Sequence, residues 1–306
     1  MFWLIIALFA YFLLAVVFLV DKHLLTAAIP DPKIYAFYVG VLGFSALLLA
    51  PFVGFYLPEK SQLALSLLSG FFFVCGLFWF YKTLRLFEAS RVVPVVGGLT
   101  PLFVLILIYL FSCGKETLPP LGFLAFIFLV AGSVLLNFRK DKSINLISFK
   151  FSALSAFLLS LSFVSVKYVY LSQPFWNGFI WRSVGGFLTA VLFFLCFPEI
   201  KKGIFKKKEN PPLDRPKKTA TVFLANQAAG AAGNILQNWA IALAPLAYVP
   251  FVNALQGVQY VFLLIMAFII SFKFPGVLKE EMSREIIFQK ILAILLMAAG
   301  LAVLAF

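Results

Sequence analysis

Apolar runs long enough to cross a lipid bilayer follow one another along almost the whole chain. Each is about 18–25 residues long, and a helix of that length crosses the roughly 30 Å hydrocarbon core of a membrane. The strands of a membrane barrel would be shorter, with alternating polarity, and the sequence lacks that pattern. The runs therefore predict ten membrane-spanning helices. These lie at about residues 2–20, 34–57, 62–81, 92–112, 119–137, 151–171, 176–198, 219–243, 246–272 and 288–305.

The composition supports a multi-pass integral membrane protein. Hydrophobic residues make up 63% of the 306 residues and charged residues only 12%, and no soluble domain of this size buries that much apolar surface. The first run has no basic start and no small-residue cleavage site, so we expect a span there and not a cleaved signal. We expect the chain in a bacterial cytoplasmic membrane.

Basic residues concentrate in every second loop. Of the 25 Lys and Arg, 21 lie in the odd-numbered loops counted from the N-terminus, whereas the even loops hold only Lys60 and Lys115. The seventh loop, at about residues 199–218, holds eight of them. Cytoplasmic loops carry such an excess, so we expect the odd loops in the cytoplasm and both termini outside. The net charge of +13 thus indicates contact with anionic lipid headgroups and not with nucleic acid.

Two segments of the first half recur in the second half. Residues 11–25 match residues 156–170 at an offset of about 145, and residues 85–99 match residues 241–255 at an offset of about 156. Such self-similarity indicates an internal repeat. The predicted repeats are residues 1–142, with helices one to five, and residues 143–306, with helices six to ten.

Equivalent positions of the two repeats carry the same lysine and proline, but equivalent loops differ in their number of cations. Lys22 falls on Lys167, and Pro94 falls on Pro250. The second loop has one cation, whereas its counterpart, the seventh loop, has eight. A repeat with an odd number of helices inserts its second copy upside down, which reverses the charge bias of each loop. The sequence therefore predicts an inverted repeat.

Several motifs carry a family resemblance. They are A-S-x-V-x-P (89–94), L-T-P-L-F (99–103), Glu116 and L-G-F…A-G-S-V-L-L (121–136), with a looser second copy at Pro250 and A-G-L-A-V-L (299–304). Over nearly the whole chain, this pattern resembles the EamA module of the drug/metabolite transporter superfamily. The resemblance implies ten helices in two inverted five-helix repeats, with alternating access to a central cavity. Members export amino acids and other metabolites, and distant relatives exchange sugar phosphates or nucleotide sugars.

The chain departs from the family pattern in two ways. L-T-P-L-F of the first half becomes L-Q-G-V-Q (255–259) in the second half, so the two halves have specialised. Many members of the family have cytoplasmic termini, whereas the distribution of cations places both termini of this chain outside.

Amide side chains cluster in the eighth and ninth predicted helices. Polar groups inside a span are costly unless they face a partner or a cavity. Bonding between helices, worth about 0.6–2 kcal/mol per contact, explains one or two amides, and lining of a cavity explains the larger number. We predict that these side chains bind solute. They are Asn226, Gln227, Asn234, Gln237, Asn238, Asn253, Gln256 and Tyr260.

Two cations lie within predicted spans, near the end of the molecule that otherwise excludes Lys and Arg. Lys167 and Arg182 either extend to the headgroups or meet an anionic group of a solute or partner. We include both in the predicted binding site. Tyr11, Tyr168 and Trp181 are predicted to wall it, although interfacial aromatic residues are common in membrane proteins.

Prolines at matching places predict weak points in a pair of symmetric helices. Pro94 and Pro101 fall in the fourth helix, and Pro250 with Gly257 take the matching places in the ninth. Proline removes a backbone hydrogen bond and kinks a span. These four residues are predicted hinges for alternating access, and a simple adjustment of tilt is the alternative.

Other classes of function lack their sequence signatures. There is no phosphate-binding GxxxxGK[ST] loop, and His23 is the one histidine, so we expect no nucleotide hydrolysis, no metal site, no cofactor and no enzyme activity. The sequence predicts a secondary transporter that exports a small polar metabolite, amino-acid-like or anionic. A carrier of lipid-linked anionic headgroups and a scaffold or sensor without transport are the alternatives. The expected partners are solute and membrane lipid, and a monomer and a homodimer both stay open.

Overall fold

The computed structural model describes residues 2–25, 32–87, 89–137, 146–205, 216–273 and 284–305. These residues are helical almost throughout, and no β-strand occurs among them. The helices are α1 (Phe2–Leu25), α2 (Pro32–Gly43), α3 (Lys60–Leu86), α4 (Ala89–Phe111), α5 (Pro120–Asn137), α6 (Leu146–Ser172), α7 (Phe175–Cys196), α8 (Pro198–Phe205), α9 (Pro216–Leu243), α10 (Val249–Ala254), α11 (Gln256–Lys273) and α12 (Arg284–Ala305). Two 3-10 helices lie at Phe44–Phe52 and Leu246–Tyr248.

Seven helical segments in the described part of the chain are long and apolar enough to cross a membrane. Large apolar side chains cover the outer surface, among them Leu48 (75% exposed), Phe52 (84%) and Phe288 (68%). Lipid solvates such a surface, whereas water does not. The protein is an all-helical integral membrane protein. The seven segments are Phe2–Val20, Pro32–Phe52, Lys60–Leu86, Val92–Phe111, Leu146–Ser172, Phe175–Cys196 and Leu246–Met266, with shorter apolar helices at Pro120–Leu136 and Phe288–Leu304.

Three predicted segments differ from the helices observed. The second predicted span ends as an α-helix at Gly43 and continues as the 3-10 helix Phe44–Phe52, followed by a turn at Gly54 with φ +65°. The ninth is divided at Leu255, between α10 and α11, and its Pro250 sits in the first turn of α10, where no backbone hydrogen bond is lost. The short helix α8 occupies the start of the segment predicted as the seventh loop.

Helices α3 and α7 approach each other closely at glycines. A Cβ on Gly70 of α3 would collide with the carbonyl oxygen of Arg182 and lie 2.8 Å from the carbonyl carbon of Gly185. A Cβ on Gly185 would lie 2.6 Å from the Cα of Leu67. Small residues allow this backbone contact, which is a common means of helix association in lipid. Helices α5 and α12 meet in the same way at Gly132 and Gly300.

Buried serines join α3 to α6. The Ser69 hydroxyl donates to the Ser162 carbonyl at 3.0 Å, and the Ser162 hydroxyl donates to the Ser69 carbonyl at 2.8 Å. The Ser155 hydroxyl donates to the Gly76 carbonyl at 2.9 Å. These hydroxyls therefore bond helix to helix along the length of the pair.

One end of the bundle gathers the N-terminus and the even-numbered loops. The Trp3 ring lies 6.2 Å from the Tyr248 ring, which places the start of α1 beside the eighth loop. In the second loop, the backbone N–H of Tyr56 donates to Asn177 Oδ1 at 3.0 Å, near the start of α7. We call this the cation-poor end, because Lys60 and Lys115 are its loop cations.

Helix ends that flank the odd-numbered loops lie at the opposite end. Lys33 Nζ, after the first loop, lies 3.0 Å from Glu199 Oε1, after α7. Gln289 Nε2, near the start of α12, donates to the Leu135 carbonyl at 2.7 Å, near the end of α5. We call this the cation-rich end.

Candidate functional site

Arg182 is a buried cation with free hydrogen-bond donors. It lies in α7 with 4% of its surface exposed, and its Nε and Nη2 have no hydrogen-bond partner among the described residues. Its guanidinium carbon lies 4.4 Å from the centre of the Phe73 ring of α3. A cation–π contact stabilises the face of a guanidinium but leaves its edge unsatisfied. Charged groups of this kind inside a membrane bundle mark ligand or ion sites.

The contact between α3 and α7 fixes where this side chain lies. The carbonyl of Arg182 is pressed against Gly70, and Phe73 is one turn further along the same face of α3. The Arg182 backbone therefore lies at the tightest contact with α3, and the guanidinium packs on the Phe73 ring one turn further along α3. Because two backbones in contact set this position, the guanidinium is held by rigid elements of the fold.

A chain of polar side chains leads from the neighbourhood of Arg182 to α9. Tyr170 of α6 lies near Arg182, and its hydroxyl donates to Asn238 Oδ1 at 3.1 Å. Asn238 Nδ2 in turn donates to the carbonyl and to Oδ1 of Asn234, at 2.8 Å and 3.1 Å. We call Phe73, Tyr170, Arg182, Asn234 and Asn238 the Arg182 cluster. It draws on four helices and contains residues from both halves of the sequence.

A second polar group lies where α1, α9, α10 and α11 meet. Tyr11, which is buried, donates its hydroxyl hydrogen to the Val252 carbonyl at 2.8 Å and accepts a hydrogen bond from Gln237 Nε2 at 3.1 Å. Gln256 Nε2 donates to the Tyr260 hydroxyl at 3.3 Å, and Tyr260 lies near Tyr11. These four side chains form the Tyr11 cluster.

Helix α9 connects the two clusters. Gln237 and Asn238 are neighbours in sequence, and a helix turns neighbouring side chains about 100° apart. Gln237 therefore reaches α1, whereas Asn238 reaches α6. Neighbouring amides of α9 therefore belong to two different clusters, the Tyr11 cluster and the Arg182 cluster.

Lys167 caps the end of α9. It is 2% exposed, and its ammonium donates to the Ala242 carbonyl at 2.9 Å and to the Ala244 carbonyl at 2.5 Å. Helix α9 ends at Leu243, so these carbonyls have no partner further along the helix. A cation there satisfies them and complements the helix dipole. Its ammonium is thus engaged by backbone, unlike the guanidinium of Arg182.

The other predicted binding residues take various positions. Asn226 is buried and Gln227 is half-buried, both in α9. Asn253 Nδ2 donates within its own helix to the carbonyl four residues earlier, at 3.1 Å. The Trp181 indole N–H donates to the Tyr56 carbonyl at 2.9 Å, so this ring fastens the second loop and lies apart from the Arg182 cluster.

The predicted hinge residues fall into two kinds. Pro94 and Pro101 lie inside α4, which continues as an α-helix through both. Gly257 is a packing point: a Cβ there would lie 2.7 Å from the Ser133 Cβ of α5 and 2.9 Å from the Met297 Sδ of α12. The side chains of Lys22 and His23 lie outside the described residues.

Reasoning from the sequence missed Tyr170 and Phe73. Tyr170 lies three residues after Lys167, a spacing that puts both on one helical face, and that face meets α9. Phe73 is one of 39 phenylalanines, so its sequence position carried no signal. The described residues contain no group of three or more His, Cys, Asp or Glu placed to hold a metal ion.

Comparison with known proteins gives a fold. No family model matches the chain, and no curated protein matches it. A solved structure described only as "Crystal structure of protein" is similar, with a TM-score of 0.66 and 18% sequence identity over 98% of this chain and 96% of that chain. At that identity the likeness shows a shared fold and no function.

Proposed function

We propose that this protein is a secondary transporter that moves a small, polar, negatively charged organic solute across the membrane. The observation that carries the proposal is the buried guanidinium of Arg182, with two donors that no described residue satisfies. Burial of a charge without a partner destabilises a membrane bundle by an amount on the order of several kcal/mol. The stability of the fold therefore does not explain Arg182. An anion that enters and leaves supplies the pairing.

The Arg182 cluster divides the work of binding among its members. Arg182 binds the charge of the solute through charge-assisted hydrogen bonds, which are stronger than neutral ones. The Phe73 ring holds the face of the guanidinium and so directs its edge toward the solute. Tyr170 and Asn238 offer hydroxyl and amide groups to the uncharged polar parts.

Helix contacts support two inverted repeats of five spans each, as the EamA resemblance implies. In such a repeat, the pairing of spans one and eight is equivalent to the pairing of spans six and three. Helix α1 packs along α9, and α3 packs along α6. The fifth and tenth spans would face each other across the axis, and α5 packs along α12.

Transport would proceed by alternating access around this centre. The division of the ninth span at Leu255 and the prolines of α4 supply flexible points in symmetry-related helices. The distribution of cations favours a cytoplasmic position for the cation-rich end in a bacterial plasma membrane. Export would then release the solute at the cation-poor end.

Transport by purified protein in liposomes tests the proposal. Labelled organic anions are offered to vesicles that carry the wild type, Arg182→Gln or Arg85→Gln, the last a matched control at an exposed arginine of α3. A lost charge-assisted bond of about 1.5–3 kcal/mol predicts a decrease of about tenfold or more for Arg182→Gln, and no change for the control. Wild-type vesicles that transport no organic anion, or an Arg182→Gln protein that transports normally, would reject the proposal.

A further inference from the structure

The described interior of the bundle carries two positive charges, of which one has free hydrogen-bond donors. The buried cations among the described residues are Lys167 and Arg182, and no Asp or Glu is buried there. The Lys167 ammonium donates hydrogen bonds to the two carbonyls at the end of α9, and these bonds belong to the fold. Of these two cations, Arg182 has unsatisfied donors, so the charge that a solute meets is a single guanidinium.

The two free atoms of Arg182 lie on the same edge of the guanidinium. Nε and the Nη2 that projects away from the Cδ side point their hydrogens in nearly parallel directions. That edge forms the fork that binds both oxygens of one carboxylate in parallel hydrogen bonds. The free donors therefore match a carboxylate in number as well as in charge.

We infer that the solute is an organic monocarboxylate that has no cationic group, as distinct from a zwitterionic amino acid or a dianion. The inference rests on the proposed transport function and specifies its substrate class. A monocarboxylate pairs with the one buried cation that has free hydrogen-bond donors. The second charge of a dianion would have no further cation with unsatisfied donors to meet, because the Lys167 ammonium is already bonded to two carbonyls, and burial of an unpaired charge is costly.

A zwitterion fails for the opposite reason. Its ammonium needs an acceptor of negative charge, and the described interior offers only neutral amides, hydroxyls and carbonyls. In a complex with a zwitterion, the carboxylate would pair with Arg182, but the ammonium would add a second buried cation that has no partner of negative charge. An amino acid is therefore expected to bind less well than the oxo acid of the same carbon skeleton.

Matched solutes separate these classes. Wild-type proteoliposomes are offered 2-oxobutyrate, 2-aminobutyrate and succinate, which share a four-carbon skeleton, and then 2-oxohexanoate, norleucine and adipate, which share a six-carbon skeleton. Uptake is measured for each, together with the thermal unfolding of detergent-purified protein at increasing solute concentration. We expect the oxo acids to be taken up at least tenfold faster than their partners and to raise the unfolding temperature.

The possible results distinguish the substrate class from the transport function. Faster uptake of an amino acid or a dicarboxylate, abolished by Arg182→Gln, would overturn the monocarboxylate inference and leave the transporter in place. Chloride flux without uptake of any carboxylate would overturn the inference as well. Absence of uptake of every organic solute would instead remove the proposed function.

Discussion

At the scale of single residues, two buried cations of the same bundle have different surroundings. Lys167 donates to two backbone carbonyls at a helix end, whereas two of the three nitrogens of Arg182 lack a partner among the described residues. A satisfied cation stabilises the fold, and an unsatisfied one destabilises it. Measurement of unfolding therefore separates the two roles without knowledge of the solute.

Replacement of Arg182 by methionine is expected to raise the unfolding temperature of the solute-free protein. Methionine fills much of the same volume and removes a buried charge that has no partner, a change worth about 1–3 kcal/mol of stabilisation. Arg85→Met at an exposed position is the control and is expected to change little. Thermal unfolding in detergent checks this, and a lower unfolding temperature for Arg182→Met would show that the guanidinium is structurally paired.

Replacement of Lys167 by methionine is expected to have the opposite effect. The carbonyls of Ala242 and Ala244 would lose their shared donor, and buried unsatisfied carbonyls cost about 1–3 kcal/mol. Lys150→Met, at an exposed lysine of the same helix, is the matched control. Unfolding in detergent gives the comparison. Equal stability of the two variants would contradict the capping role.

At the scale of helices, backbone contact between α3 and α7 positions the Arg182 cluster. The carbonyl of Arg182 touches the site where a Cβ on Gly70 would stand. The second loop also fastens to α7, through the stacked rings of Phe55 and Trp181 at 5.1 Å and through the indole hydrogen bond. Any separation of these helices would displace the guanidinium from Phe73.

Substitution Gly70→Ala is therefore expected to destabilise the protein severely and to abolish uptake. The added methyl group meets backbone atoms of α7, which have no alternative rotamer, so the helices must move apart. Gly43→Ala is the control, because a Cβ there meets nothing within 4 Å and alanine favours a helix by about 1 kcal/mol. The yield of folded protein and its unfolding temperature are measured for both. Similar values would mean that this contact is not tight.

The sequence predicted the positions of the long helices better than the positions at which helices are interrupted. Apolar runs identified the long helices because lipid selects for them regardless of neighbouring elements. The predicted hinges of the ninth span were Pro250 and Gly257, and the helix divides between them, at Leu255. The sequence indicated this region through Gly257, but packing with other helices sets the exact residue of the break.

The same limit applies to the candidate site. The polarity of α9 was visible in the sequence, and its amides do bond to α1 and α6. The sequence did not show that Lys167 has hydrogen-bond partners whereas Arg182 has unsatisfied donors, because both are cations at similar depth in their spans. Which of them is satisfied depends on where α9 ends relative to α6, and that is a property of tertiary packing.

At the scale of the whole molecule, the bundle has two ends of different charge. The N-terminus and the second and eighth loops gather at the cation-poor end, and helix ends that flank the first, fifth, seventh and ninth loops lie at the opposite end. An electrostatic preference of cationic loops for the cytoplasm then orients the whole protein. Both termini would lie outside, contrary to the habit of the family that the sequence resembles.

Native and introduced thiols test this orientation. Cys113 is exposed in the fourth loop, and Lys201 is exposed in α8 at the cation-rich end. One variant keeps Cys113 alone, with Cys75→Ala and Cys196→Ala, and a second also replaces Cys113 by alanine and carries Lys201→Cys. A membrane-impermeant maleimide is expected to label the first variant in intact cells and the second only after permeabilisation. The reverse pattern would place the cation-rich end outside, and equal labelling of both in intact cells would contradict the separation of the two ends.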